Sequence, residues 1–143
     1  MGSNRTITQS RDDLKAAADA IPSSFKTTFE REPTEITTSQ LPLFCVLDGT
    51  ESGDELSVDS KEAIYNSRYE FDIVMVLDAS CAESEVITAR NAWVQKLVSQ
   101  TQTNGYRPFT LERWRHYLGH WGHVKGWFVT MTLSRYTIED FLT

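Results

Sequence analysis

Cysteine is scarce in this 143-residue chain, with only Cys45 and Cys81. Two such residues make neither a disulfide framework nor a zinc pattern. Cys45 lies inside an apolar stretch, where it packs as a small hydrophobe. Long hydrophobic runs are also missing, and none approaches the ~20 residues of a membrane helix. The N-terminus carries no apolar signal segment, which predicts intracellular synthesis. Gly-rich phosphate loops, nucleophile elbows and His-Glu-x-x-His patterns are absent, so no enzyme chemistry and no cofactor is predicted. Positive charge is in deficit. The net charge of −6 argues against a general nucleic-acid binder, which needs a basic footprint.

What charge there is, is uneven. Between Arg107 and Lys125 four basic side chains (Arg107, Arg113, Arg115, Lys125) face only Glu112, so that segment is +3 and the remainder −9. A solvated face explains this, and so does a subunit that docks on complementary surfaces. The length and ordinary apolar content fit one domain with one core.

The chain divides as follows. Residues 1–7 read as a flexible arm, 8–136 as one domain and 137–143 as a tail that forms a last turn or a docking arm. Met1 to Thr6 fits a myristoylation pattern and Asn4-Arg5-Thr6 a glycosylation acceptor, both short enough to arise by chance. Ser10 is the expected cap of a first helix with Leu14, Ala17, Ala18 and Ile21 on one face, stopped by Pro22. Phe25 and Phe29 form a turn of helix or anchor the linker that follows. Leu41 to Leu47 reads as an apolar strand that starts at Pro42 and breaks at Asp48-Gly49.

Thr50 to Glu62 reads as a long acidic loop. Its carboxylates could suit calcium, but their spacing does not follow an EF-hand. Ala63 to Asp78 alternates as a strand, wet on one face in its first half and apolar on both in its second. Ser80 to Glu83 matches a capping box for a helix to about Gln100, with Val86, Trp93 and Leu97 on its core face. Asn104-Gly105 marks a turn. Two strands follow: Phe109 to Leu118, with Phe109, Leu111, Arg113, Arg115 and Tyr117 on one face, and Trp127 to Tyr136, with Trp127, Val129, Met131 and Leu133 inward. The predicted fold is therefore α+β: one domain, a mainly antiparallel sheet with a long hairpin packed against two helices.

Three weaker patterns compete for function. His116, His120 and His123 would bring two zinc-type ligands to one face if helical, but Gly119 and Gly122 favour a surface turn. Arg113 to Tyr117 interleaves basic and aromatic residues as single-strand binders do. Asp48 and Asp78 end apolar strands, where catalytic carboxylates and ordinary turn formers both occur.

The order of elements, with Leu41-Pro42 leading into Asp48-Gly49, the Gly53 to Leu56 segment, the long alternating strand, the helix carrying Trp93, Asn104-Gly105-Tyr106 and the closing Trp127 to Tyr136 strand, resembles the tail terminator proteins of lambda-like long non-contractile-tailed phages. His116 to Trp127 and the C-terminal tail depart from that pattern. The resemblance implies a structural virion protein without catalytic or metal residues. Six copies would ring and cap the tail tube, end its growth and present the surface that joins the head connector. Its partners would be itself, the tail tube protein, the head-tail connector protein and DNA passing through the lumen without specific binding. No membrane is implied; assembly would occur in the host cytoplasm and the final place would be the tail or neck of the virion. On this reading Glu51, Asp54, Glu55, Asp59, Arg68 and Glu70 meet neighbouring subunits, while Arg107, Arg113, Arg115 and Lys125 dock the tube or connector. Another neck, connector or tail-completion subunit is the near alternative. A small nucleic-acid- or metal-binding domain centred on His116 to Trp127 is the distant one.

Overall fold

A computed structural model describes residues 5–22 and 24–141. Met1 to Asn4, which include most of the expected arm and the acceptor positions of both modification patterns (Gly2 and Asn4), lie outside the described residues, as do Ser23, Leu142 and Thr143. The element order is α1 (Ile7–Asp19), β1 (Thr27–Phe29), a 3-10 turn (Thr38–Gln40), β2 (Leu43–Val58), β3 (Ala63–Asp78), α2 (Glu83–Asn104), β4 (Thr110–Trp121) and β5 (Val124–Asp140). The strands form one sheet in the order β1-β2-β3-β5-β4, antiparallel except for the β1–β2 pair. The α+β class and the long hairpin are as the sequence predicts.

Helix α1 begins earlier than expected. Thr6 is its cap, with Thr6 Oγ1 accepting from the Gln9 amide (3.1 Å) and Gln9 Oε1 accepting from the Thr6 amide (3.0 Å). That reciprocal box satisfies two end donors, so the chain is ordered from within the expected arm. Ser10 faces inward instead and is buried with Asp13, Leu14, Ala17 and Ala18. The box expected at Ser80 does not form either. The Ser80 amide and hydroxyl both donate to Asp78 Oδ1, and α2 starts after Ala82 without a side-chain cap. Glu83 and Glu85 suit the positive end of its dipole. Gly105, at φ 68°, closes the helix by donating to the Thr101 carbonyl, a left-handed conformation that glycine adopts without strain.

Both helices cover one face of the sheet. Leu14, Ala17, Val86, Trp93 and Leu97 pack there on Phe44, Val46, Tyr69, Phe71, Ile73, Met75, Val129, Met131 and Leu133. Trp93 is fully buried, lies against Phe44 and donates its indole N–H to the Leu14 carbonyl (3.3 Å), which ties α2 to α1. Phe25 anchors the linker on Phe44, and Phe29 sits in β1. A smaller cluster on the opposite face gathers Ile36, Leu41, Leu43, Cys45, Val74, Val76, Val124 and Phe128. Leu43 to Val46 and Val74 to Val76 therefore have both faces covered, as their continuous apolar character requires.

The main departure is the acidic segment. It is not a loop: β2 continues to Val58, pairing Thr50 with Glu70, Glu51 with Tyr69 and Glu55 with Tyr65. Only residues 59–62 turn. At ~3.3 Å per residue each 16-residue arm spans about 50 Å, well beyond the ~20 Å length of α1. β5 accompanies the hairpin to Asp140, opposite Ile64, so residues 137–140 belong to the sheet rather than to a tail. The Phe141 amide donates to the Ala63 carbonyl just beyond.

A bulge marks where the hairpin leaves the core. Leu47 and Asp48 together lie between the Val46↔Ile73 and Gly49↔Phe71 pairs. Bulging frees backbone groups, and Arg11 of α1 takes one of them, donating to the Leu47 carbonyl (2.9 Å). Gly49 is needed here because a Cβ would come within 2.6 Å of the Phe71 ring.

Candidate assembly surface

The helix layer does not reach the outer half of the hairpin. From Thr50 to Val58 nearly every β2 residue is exposed, including Leu56 (57%) and Val58 (50%). Tyr136, Ile138 and Phe141 of the neighbouring strand end are exposed as well. β1 pairs only with Leu43 to Cys45, so among the described residues no strand covers the outer edge of β2 from Asp48 onward. At the other side of the sheet the outer edge of β4 is likewise unpaired.

The residues expected at a subunit interface sit on this projection but differ in what they are free to do. Asp54 and Glu55 are exposed and have no ion-pair partner among the described residues. Asp59 is a turn former: its Oδ1 accepts from the Lys61 and Glu62 amides (2.7 and 2.9 Å). Arg68 and Glu70 pair with each other on the helix-free face, and Arg68 also reaches Glu112 of β4 (3.2 Å). Glu112 accepts from the Ser134 hydroxyl and from Arg68, which hold its carboxyl below the ordinary range. Those two residues are thus largely occupied within the chain.

Glu51 lies on the helix side of the projection. Its carboxyl is pushed up by partial burial and by the neighbouring Glu139 carboxylate. The buried Tyr69 hydroxyl donates to Glu139 Oε1, and burial with that bond raises the phenol well above its usual range. In the same cross-strand row, where Tyr69 lies between Glu51 and Arg135, is a buried ion cluster. Arg135, 1% exposed, donates to Asp13 Oδ2 (2.6 Å) and Ser10 Oγ (3.0 Å) and lies over the Phe109 ring. Arg5 adds a second guanidinium at Asp13 Oδ1 (3.0 Å) and stacks on Tyr106. Burial lowers the Arg135 pKa, opposed by the Asp13 bond. The cluster clamps α1 to β5 at the root of the projection.

The four expected docking cations do not form one patch. A bulge at Glu112 shifts the β4 register between Leu111 and Arg113. Leu111 therefore faces the helices, and Arg113, Arg115 and Tyr117 face the other way, which corrects the single face expected for all of them. Tyr117 stacks on Phe128 (5.6 Å) and Arg115 lies over Tyr117 (4.7 Å). Beside them is an open groove of about 400 Å³ bordered by Leu47, Asp72, Arg113, Arg115, Thr130 and Thr132. Arg107 precedes the strand with its Nε enclosed, and Lys125 is on the helix side at the far hairpin end, opposite His120.

His116 and His120 belong to a strand rather than a helix or turn, which puts them ~13 Å apart along it. His123 is in the tight turn beyond, and His116 approaches Glu83 (3.5 Å). Among the described residues no group of three or more His, Cys, Asp or Glu is placed to hold a metal. Nor is any helix among them long and apolar enough to cross a membrane. Leu56 and Val58 are exposed apolar residues that sequence reasoning missed; their spacing by two within an acidic stretch is the available signal. No protein-family model matches the sequence, and no curated protein matches it.

Proposed function

We propose that this chain is a structural subunit of a phage tail, a tail terminator whose copies close into a hexameric ring on the end of the tail tube. The observation that supports this is the projecting β2–β3 hairpin, with exposed apolar side chains at its tip and an uncovered strand edge. An isolated monomer gains nothing from such a feature, because bare edges and exposed leucine invite association. A subunit that completes itself by docking needs both. The sequence resemblance supplies the class of assembly, and the acidic hairpin suits a lumen through which DNA slides without sticking.

The test is negative-stain imaging of purified protein, alone and mixed with tail tubes. Sixfold rings seated on tube ends are the expected result. Monomers that ignore tubes at every protein concentration sink the proposal. A related neck or tail-completion subunit would ring without stopping tube growth, so tube length distributions separate the two.

A further inference from the structure

We infer that successive copies join head to tail through the two free sheet edges, β4 of one copy adding to β2 of the next, which deepens the ring reading above and rests on its self-association. The edges match in length: Asp48 to Val58 of β2 offers eleven residues and β4 twelve. They are opposite in charge. Asp48 to Val58 carries four carboxylates (Asp48, Glu51, Asp54, Glu55) and no basic residue. β4 carries Arg113 and Arg115, neither with an ion-pair partner among the described residues, while its one acid, Glu112, is held by Arg68 and Ser134. Each edge also exposes apolar surface: Leu56 and Val58 on one, Trp114, Tyr117 and Leu118 on the other.

Charge then decides which contact forms. Two β2 edges would set carboxylates against carboxylates, and two β4 edges guanidinium against guanidinium. Only the unlike pair is attractive, so isologous dimers are disfavoured and a heterologous contact, which closes into rings or runs on as a filament, is favoured. Direction fits too. Three antiparallel steps separate β2 from β4, so they run oppositely. A copy rotated about an axis along the strands therefore presents its β2 antiparallel to its neighbour's β4.

The test uses two charge reversals, Arg113→Glu/Arg115→Glu and Asp54→Lys/Glu55→Lys, in sedimentation of the full chain. Each alone is expected to weaken self-association by roughly tenfold or more, and wild-type association to weaken as salt rises. Mixed in equal amounts, the two variants are expected to reassemble, since every junction again meets opposite charge. Hydrogen exchange on the wild type gives a reading independent of the variants: amides of 48–58 and 110–121 slow on concentration. Wild-type rings that ignore both reversals, or whose edge amides stay fast, overturn the contact and leave the terminator reading intact. Rings that form through these edges but ignore tail tubes uphold the contact and overturn that reading. A wild-type chain that stays monomeric at high concentration, alone and with tail tubes, overturns both.

Discussion

Asp13→Ala is the most informative single change for stability. Asp13 is 5% exposed and accepts from both Arg135 and Arg5, so removing it strands the buried Arg135 guanidinium with the Ser10 hydroxyl as its remaining acceptor. Removing one partner of a buried pair costs about 3–5 kcal/mol, most of it the penalty of the uncompensated charge. Unfolding entropy of ~2.1 cal/mol/K per residue gives roughly 0.3 kcal/mol/K here, so Tm should fall by about 10–17 °C. Arg135→Met alone should cost less, because Asp13 keeps Arg5. The pair Asp13→Leu/Arg135→Met should recover most of the loss, since a buried ion pair exchanged for apolar groups of similar size is often neutral. Urea unfolding followed by circular dichroism, repeated at several protein concentrations to separate association from folding, measures all three. A loss below about 1 kcal/mol for Asp13→Ala, or a double variant as damaged as the sum of the singles, would refute the reasoning.

Four further outcomes are expected. Trp93→Ala should cost about 3–5 kcal/mol in the same unfolding assay, since it empties the contact between α2 and Phe44 and removes the bond to Leu14. Gly126→Ala should destabilise by about 1–3 kcal/mol, because the new Cβ meets the Leu77 carbonyl oxygen at 2.5 Å inside the sheet. Native thiol labelling at neutral pH should modify Cys81 well before Cys45, whose thiol burial pushes up to about 12 and which should react only on unfolding. Glu51→Gln should stabilise the protein near neutral pH by no more than about 0.5 kcal/mol, with the gain fading in acid. The sign follows from the raised Glu51 carboxyl: the folded state holds its proton more tightly, so stability falls as pH climbs from the ordinary carboxylate range through the raised value, and the amide removes that fall. Melting curves of both proteins against pH check it.

Parts of this architecture were legible in the residues because side-chain pattern and tertiary role coincide. Ala63 to Asp78 alternates in its first half and is continuously apolar from Ile73 to Leu77, and β3 has those bounds. The Trp127 to Leu133 alternation likewise identified the core face of β5. The outer half of β2 was not legible, because Gly49, Ser52, Gly53, Asp54 and Glu55 have low strand propensity and show no alternation. They are extended because β3 supplies a long template, and that information lies in another part of the chain. Local signals misled where two caps competed: Thr6 with Gln9 outranks Ser10, which is drawn inward by Arg135 of a distant strand. The bulge at Glu112 is equally invisible to a period-two reading, yet it decides that Arg113 and Arg115 leave the helix face.

The place of β5 in the sheet governs the order in which the molecule can be built. It is the fifth strand along the chain but sits between β3 and β4, so neither neighbour has its inner partner until β5 arrives. It also brings Arg135, 122 residues from the Asp13 that α1 carries inward. Before that, the hairpin and α1 can meet only as an incomplete pair, with the inner edge of β3 bare. Closing so long a loop is an entropic cost that precedes any of its contacts, which makes docking of β5 the natural slow step of folding. During that interval the inner edge of β3 competes with the outer edge of β2 for foreign strands, so a chain that associates before it has folded would do so through the wrong edge.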